Sequence, residues 1–247
     1  MIDRLTKGIK TSMAIAWFYG VQNIRRSPFS VVNFILTPVS ILFFIYLFGG
    51  ARATTYGVVG GLVSILVSSS IIIETDAAFI RIILKVQDMF VASPASAVSY
   101  AAGLAVAELI NGIAGVGLFI GLLAYYHPLS PLAVLVIAYA CTLTWVSITG
   151  LGFLISSFAR DPRDLWVYSP ILTVMLSFVP PVFYPLTTIP SSFRLVAFLS
   201  PTTYAAELVR DAVGLSNSSV PLVSIGLLGY SLLLIMVAAK RTKWMER

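Results

Sequence analysis

Long apolar runs separated by short polar stretches dominate the chain. A helix of about 20 apolar residues crosses a bilayer, and six runs approach or exceed that length: residues 30–49, 57–73, 98–126, 131–158, 165–184 and 220–239. Each predicts a spanning helix. Residues 1–27 follow another pattern. Leu5, Ile9, Met13, Ala16, Trp17, Gly20 and Ile24 recur at helical spacing, while Asp3, Arg4, Lys7 and Lys10 face elsewhere. A helix of that kind lies in the membrane interface with its apolar side down. Within the stretch 74–97, Phe79, Ile82, Ile83, Val86 and Phe90 form one face, and Arg81, Lys85, Gln87 and Asp88 lie largely opposite. That predicts a single short amphipathic helix, followed by Ser93 as N-cap and Pro94 as first-turn proline of the third run.

The fifth run breaks its own pattern. Pro180, Pro181, Pro185 and Pro190 fall within eleven residues, with Phe183 and Tyr184 between them. Proline removes an amide donor and clashes with the preceding turn. In hydrocarbon, the freed carbonyls need partners inside the protein or in a water-filled cavity. The helix is therefore expected to break here, and residues 187–215 to form short re-entrant or outer-leaflet helices. The expected fold is all-α: a single transmembrane domain with six transmembrane helices, an N-terminal interfacial helix and the outer re-entrant segment.

Composition agrees. The chain is 58% hydrophobic and 11% charged, against about 25% charged in soluble domains. No segment between runs has the 50 or so residues of an independent soluble domain. The first long apolar run begins near Ser30, and no small-residue cleavage site follows a short one, so no cleavable signal is expected. Cys141 is the sole cysteine and cannot form an intramolecular disulfide.

Charge sets orientation. Arg4, Lys7, Lys10, Arg25, Arg26, Arg81, Lys85, Arg160, Arg163, Lys240, Arg241, Lys243 and Arg247 fall on one side of a six-span topology. Only Arg52, Arg194 and Arg210 fall on the other. Both termini are then cytoplasmic, and Trp17, Trp166 and Trp244 sit near the cytoplasmic boundary. The net charge of +6 is explained by topology, so no nucleic-acid partner is expected. Gly57, Gly60 and Gly61 in the second run, and Gly117 and Gly121 in the third, have the spacing of close helix packing.

The intramembrane polar candidates are Glu108 and, three residues on, Asn111. A carboxylate at that depth costs about 2.5–3.5 kcal/mol on insertion scales. Two uses are open: a structural polar contact, or a proton-coupling or substrate-contact role. Arg210 could pair with Glu207 or Asp211, and on a helix surface such a pair contributes only about 0.5 kcal/mol. No G-x-x-x-x-G-K-[ST] loop is present, and His127, at the outer rim, is the lone histidine. Phosphate cradling by that loop, His/Cys metal clusters and an intramembrane serine–histidine pair are therefore excluded. No catalytic, metal or cofactor-binding residue is expected.

With these pieces in order, the chain resembles permease subunits of the ABC-2 family of ATP-binding-cassette exporters, close to the drug- and polysaccharide-export branch. The resemblance covers nearly the whole length. It rests on the amphipathic N-terminus, the stretch Lys85 to Gly103 with Asp88-Met89-Phe90-Val91-Ala92-Ser93-Pro94, the stretch Leu151 to Asp161, and Pro181-Val182-Phe183-Tyr184-Pro185 through Pro190 to Ser200-Pro201-Thr202-Thr203-Tyr204 and Arg210. Two places depart from the family pattern. Glu74-Thr75-Asp76-Ala77-Ala78 is sparser in charge than the usual stretch, and Ser200 stands where an asparagine is frequent.

The resemblance implies a half-transporter in the cell membrane. A second permease copy and two separate ABC ATPase subunits, which carry the ATP and magnesium, complete it. It implies ATPase coupling through Phe79, Arg81, Ile82, Lys85, Val86, Asp88 and Phe90. It implies an outer gate at Pro180, Pro181, Phe183, Tyr184, Pro185 and Pro190, and a route between two chains along the first, second and fifth spans. The cargo could be a lipophilic drug, a lipid or a lipid-linked glycan. The alternatives are a stand-alone ion-coupled carrier or channel using Glu108, or a membrane scaffold.

Overall fold

A computed structural model describes residues 2–93, 95–216 and 219–241. Pro94, Lys243, Trp244, Arg247 and the side chains of Asp3, Arg4 and Leu5 lie outside the described residues. All regular structure among the described residues is helical. In chain order the helices are α1 (Ile2–Ala16), a π turn (Trp17–Val21), α2 (Gln22–Arg26), α3 (Phe29–Ile71), α4 (Ile73–Ile82), α5 (Val86–Val91), α6 (Ala97–Tyr126), α7 (Pro131–Phe158), α8 (Pro162–Ser177), two 3₁₀ turns (Leu186–Thr188 and Ser191–Phe193), α9 (Arg194–Ala197), α10 (Pro201–Ala212) and α11 (Val220–Arg241). Among the described residues, four helical stretches are long and apolar enough to cross a membrane: Phe29–Ile82, Ala97–Tyr126, Pro131–Phe158 and Val220–Arg241.

The first of these holds two apolar runs. Gly50 interrupts α3 at φ 71° and ψ 179°, a backbone region that side-chain-bearing residues avoid. The chain folds back there, so Gly57 lies against Leu42 and Ile45 of the preceding half. The expected loop between residues 49 and 57 is thus one residue wide, because Gly50 makes the reversal alone.

Helix α8 is shorter than the 165–184 run. Asp161 caps it, its carboxylate accepting from the Arg163 amide at 2.9 Å, and Pro162 occupies the first turn. It ends at Ser177 after 16 residues, because Pro180 and Pro181 cannot continue the backbone ladder. Its length falls short of the roughly 20 residues that cross a bilayer.

Three further expectations change. The 79–90 segment is not one helix: Lys85, in the left-handed region at φ 53°, separates α4 from α5. The N-cap of α6 is Ser96, whose hydroxyl accepts from the Ser99 amide at 3.1 Å. Of the glycines expected to close the third run, Gly117 and Gly121 face open space. Close packing comes instead from Gly112 against Ser69 and Gly115 against Ile65, while Gly61 sits on the Phe119 ring.

The N-terminal helix uses its apolar side twice. Ile15, Ala16 and Gly20 are buried, with Gly103 of α6 against Ile15 and Gly20 against Ala107. The Ser12 hydroxyl donates to the Ser99 carbonyl at 2.8 Å. Ile9, Met13 and Trp17 stay exposed, and Arg25 lies 5.3 Å from the Trp17 ring centre. The main core gathers Val59, Leu62, Val63, Phe119, Leu123, Ile148, Val182, Leu208 and Leu227, so the proline-rich segment is anchored to the bundle.

Candidate functional site

Three places carry polar or strained groups that spanning alone does not demand. The outermost is the break after α8. Pro180, Pro181 and Val182 are buried, whereas Pro190 is exposed. The Arg210 guanidinium, 1% exposed, reaches into the break from α10. It donates to the Pro181 carbonyl at 2.7 Å, the Val182 carbonyl at 2.6 Å and Glu207 Oε1 at 2.8 Å. Ser216 donates to Glu207 Oε2 at 2.8 Å, and the Tyr56 ring lies 5.0 Å from the guanidinium. The surface ion pair expected from sequence is therefore a buried one. Of the two partners open to Arg210, the structure uses Glu207.

Helix α10 lies outside the spanning helices. Burial pushes the Arg210 guanidinium below its ordinary pKa, while Glu207 acts in the other direction. At Asp211 burial first, then Glu207, raises the carboxyl. Around the break, Phe183 stacks on Phe178 at 5.1 Å with 5° between ring planes, and Gly60 lies directly beneath the Phe183 ring. The Tyr184 hydroxyl donates to the Val179 carbonyl at 2.8 Å. Thr202 closes the α8 end, donating to the Leu176 carbonyl at 2.8 Å. Prolines free carbonyls, and Arg210 and Thr202 take them up.

Below the break is a cleft of about 470 Å³ between α3, α4 and α8. Phe178 and Ser177 line one end, and Thr75, Asp76 and Trp166 the other. The carboxyls of Asp76 and Glu108 are neighbours. Glu108 also accepts from Asn111 Nδ2 at 3.2 Å, and both residues are 4% exposed. Sequence paired Glu108 with Asn111 but missed Asp76, whose contact crosses from α4 to α6.

The third place is the α4–α5 turn. Phe79 stacks on Trp166 of α8 at 6.4 Å. Arg81 donates to the carbonyls of Ser156 at 2.7 Å and Ala159 at 3.3 Å, so it ties α4 to the end of α7. Phe90 packs on Tyr100 at 5.1 Å. Ile82 and Val86 are half-buried, Gln87 is buried, and Lys85 and Asp88 are exposed. Ile83, Leu84 and Met89 expose 51%, 48% and 71% of their surface. The face turned inward and the face turned outward therefore differ from those of a single amphipathic helix.

Among known proteins, the family described as ABC-2 type transporter matches residues 12–213. No curated protein matches the chain.

Proposed function

The chain belongs to the ABC-2 type transporter family, and from that premise we propose that it is the permease half of an ATP-driven exporter. It is a multi-pass transmembrane protein of an ABC transporter. In this reading six segments traverse the bilayer: the two halves of α3, then α6, α7, α8 and α11. The prolines, Arg210 and the chain beyond them cover the outer end of α8. Both termini face the cytoplasm, and the membrane is the cell membrane.

A second permease copy faces the cleft, so that the cargo travels between the two chains along α3 and α8. The observation that carries this reading is the pairing of a closed end with an open cleft. The break is held by Arg210 and the Phe178–Phe183 stack, while the cleft, lined mostly by apolar surface, opens below it. That pairing supports an alternating-access half-site with its outer end closed. The cargo is a lipophilic drug, a lipid or a lipid-linked glycan.

Two ABC ATPase subunits supply ATP hydrolysis, and they press on the α4–α5 turn through Ile83, Leu84, Lys85, Asp88 and Met89. Phe79, Arg81 and Phe90 relay the push, because they hold that turn to α8, α7 and α6. ATP-driven closure shifts the permease only by the difference in its affinity for the two states. The experiment is co-purification with candidate ABC ATPases followed by ATP-driven export from inverted vesicles. Stable pairing and ATP-dependent flux support the reading. Flux driven by a proton gradient without ATP, and lost in Glu108→Gln, would instead favour the stand-alone carrier.

A further inference from the structure

The cleft between α3, α4 and α8 has a chemistry more selective than its position requires. Its volume of about 470 Å³ lies within the range of about 300–1,000 Å³ usual for small-molecule sites. Ser64, Thr75 and Ser177 line it, are 4%, 2% and 0% exposed, and have hydroxyl oxygens without a hydrogen-bond partner. Buried hydroxyls of this kind normally find partners; these three are enclosed within the wall and do not reach the open space. Asp76 is the one ionisable side chain among the lining residues, and no Lys, Arg or His is among them. The indole of Trp166 and the ring of Phe34 complete the wall, and an aromatic face attracts a cation held against it.

We infer that this cleft binds an amphiphilic cation, its charge between Asp76 and Trp166 and its apolar body along Phe34, Val174 and Phe178. The inference rests on the permease reading above and narrows its cargo. A phosphate or diphosphate would meet the Asp76 side with no positive group to pair it, and an unpaired buried charge is costly. A neutral hydrocarbon would leave the Asp76 carboxyl, the one ionisable group of the wall, without a counter-charge. A cationic amphiphile meets both conditions. Asp76 is held in place from behind by Glu108, which Asn111 holds in turn; these two are positioning residues.

Tetraphenylphosphonium and tetraphenylborate test this, because they match in size and shape and differ in the sign of the charge. Binding of each is measured to the purified full chain in nanodiscs of zwitterionic lipid. The expected result is saturable binding of the phosphonium at least tenfold tighter than the borate, and at least tenfold weaker in Asp76→Asn. Thr37 lines the cleft and is exposed, so Thr37→Lys adds a positive charge and should shift preference toward the borate. A lysine in a spanning helix costs about 2.5–3.5 kcal/mol, and Asp76→Asn, which adds no charge, carries the test where Thr37→Lys does not fold. Equal binding of the two ions, no saturable phosphonium binding, or a preference untouched by both variants overturns the inference. If an ABC ATPase pairs and drives flux while phosphonium fails to bind, the cleft inference falls alone. If selective phosphonium binding persists and no ATPase pairs, the permease reading falls alone.

Discussion

Arg210 donates to the carbonyl of Val182 at 2.6 Å, joining α10 to the proline break across 28 residues of chain. The same guanidinium holds Pro181 and Glu207. Three acceptors at two ends of one planar fork suit arginine and not lysine, whose ammonium is a compact point charge. Arg210→Ala takes the guanidinium from the buried Glu207 carboxyl and orphans two carbonyls. Removing one partner of a buried pair costs about 3–5 kcal/mol, so a large fall in detergent melting temperature is expected. Arg210→Lys should recover only part of it. A melting temperature within a degree or two of wild type for Arg210→Ala would contradict the capping role.

The contact between Gly60 and Phe183 yields a second expectation. Any Cβ at residue 60 would fall within the Phe183 ring, and the ring is pinned by its stack on Phe178. Overpacking of this kind costs about 1–3 kcal/mol. Gly60→Ala should therefore destabilise the chain and displace the break, and Phe183→Ala should rescue it in the double variant. Thermal melting of the two single variants and the double gives the coupling. Additive losses would mean that the two residues do not touch.

Much of the architecture was legible in hydropathy, since apolar runs of spanning length and a proline cluster are local signals. What escaped was set by distant neighbours. Gly112 and Gly117 look alike in sequence, yet only the first faces Ser69, because the rotation of α6 depends on what packs against it. Lys85 takes a left-handed turn where no glycine marks one, so a periodic apolar face ran through a break. Arg210 reads as a surface pair with Glu207 or Asp211 because nothing local reveals that α10 packs against the break. Gly50 was hidden for the opposite reason: a loop was expected where one residue reverses the chain.

The α4–α5 turn separates docking from relay. Met89 exposes 71% of its surface and Ile83 51%, so aspartate there should change stability by no more than about 0.5 kcal/mol, as for ordinary surface changes. The same changes should abolish co-purification with the ATPase. Arg81→Ala behaves differently: it frees the carbonyls of Ser156 and Ala159, lowering stability and leaving ATPase pairing but uncoupling hydrolysis from flux. Pull-down and ATP-driven transport, measured side by side, distinguish the two. Loss of pairing in Arg81→Ala with pairing intact in Met89→Asp would reverse the assignment.

Glu108 provides the sharpest contrast between the permease and the ion-coupled carrier. Its carboxyl accepts from Asn111 and lies beside that of Asp76. Glutamine offers an acceptor for Asn111 and an amide donor for Asp76, so Glu108→Gln preserves both contacts without a titratable proton. A positioning role predicts near-normal stability and ATP-driven flux within about twofold of wild type. Glu108→Leu, of similar volume, strands Asp76 and Asn111, and an unsatisfied buried polar group costs about 1–3 kcal/mol. The permease therefore tolerates Gln and suffers from Leu. A carrier that moves protons through this carboxyl loses transport in both, and flux measured with ATP and with a pH gradient separates the two outcomes.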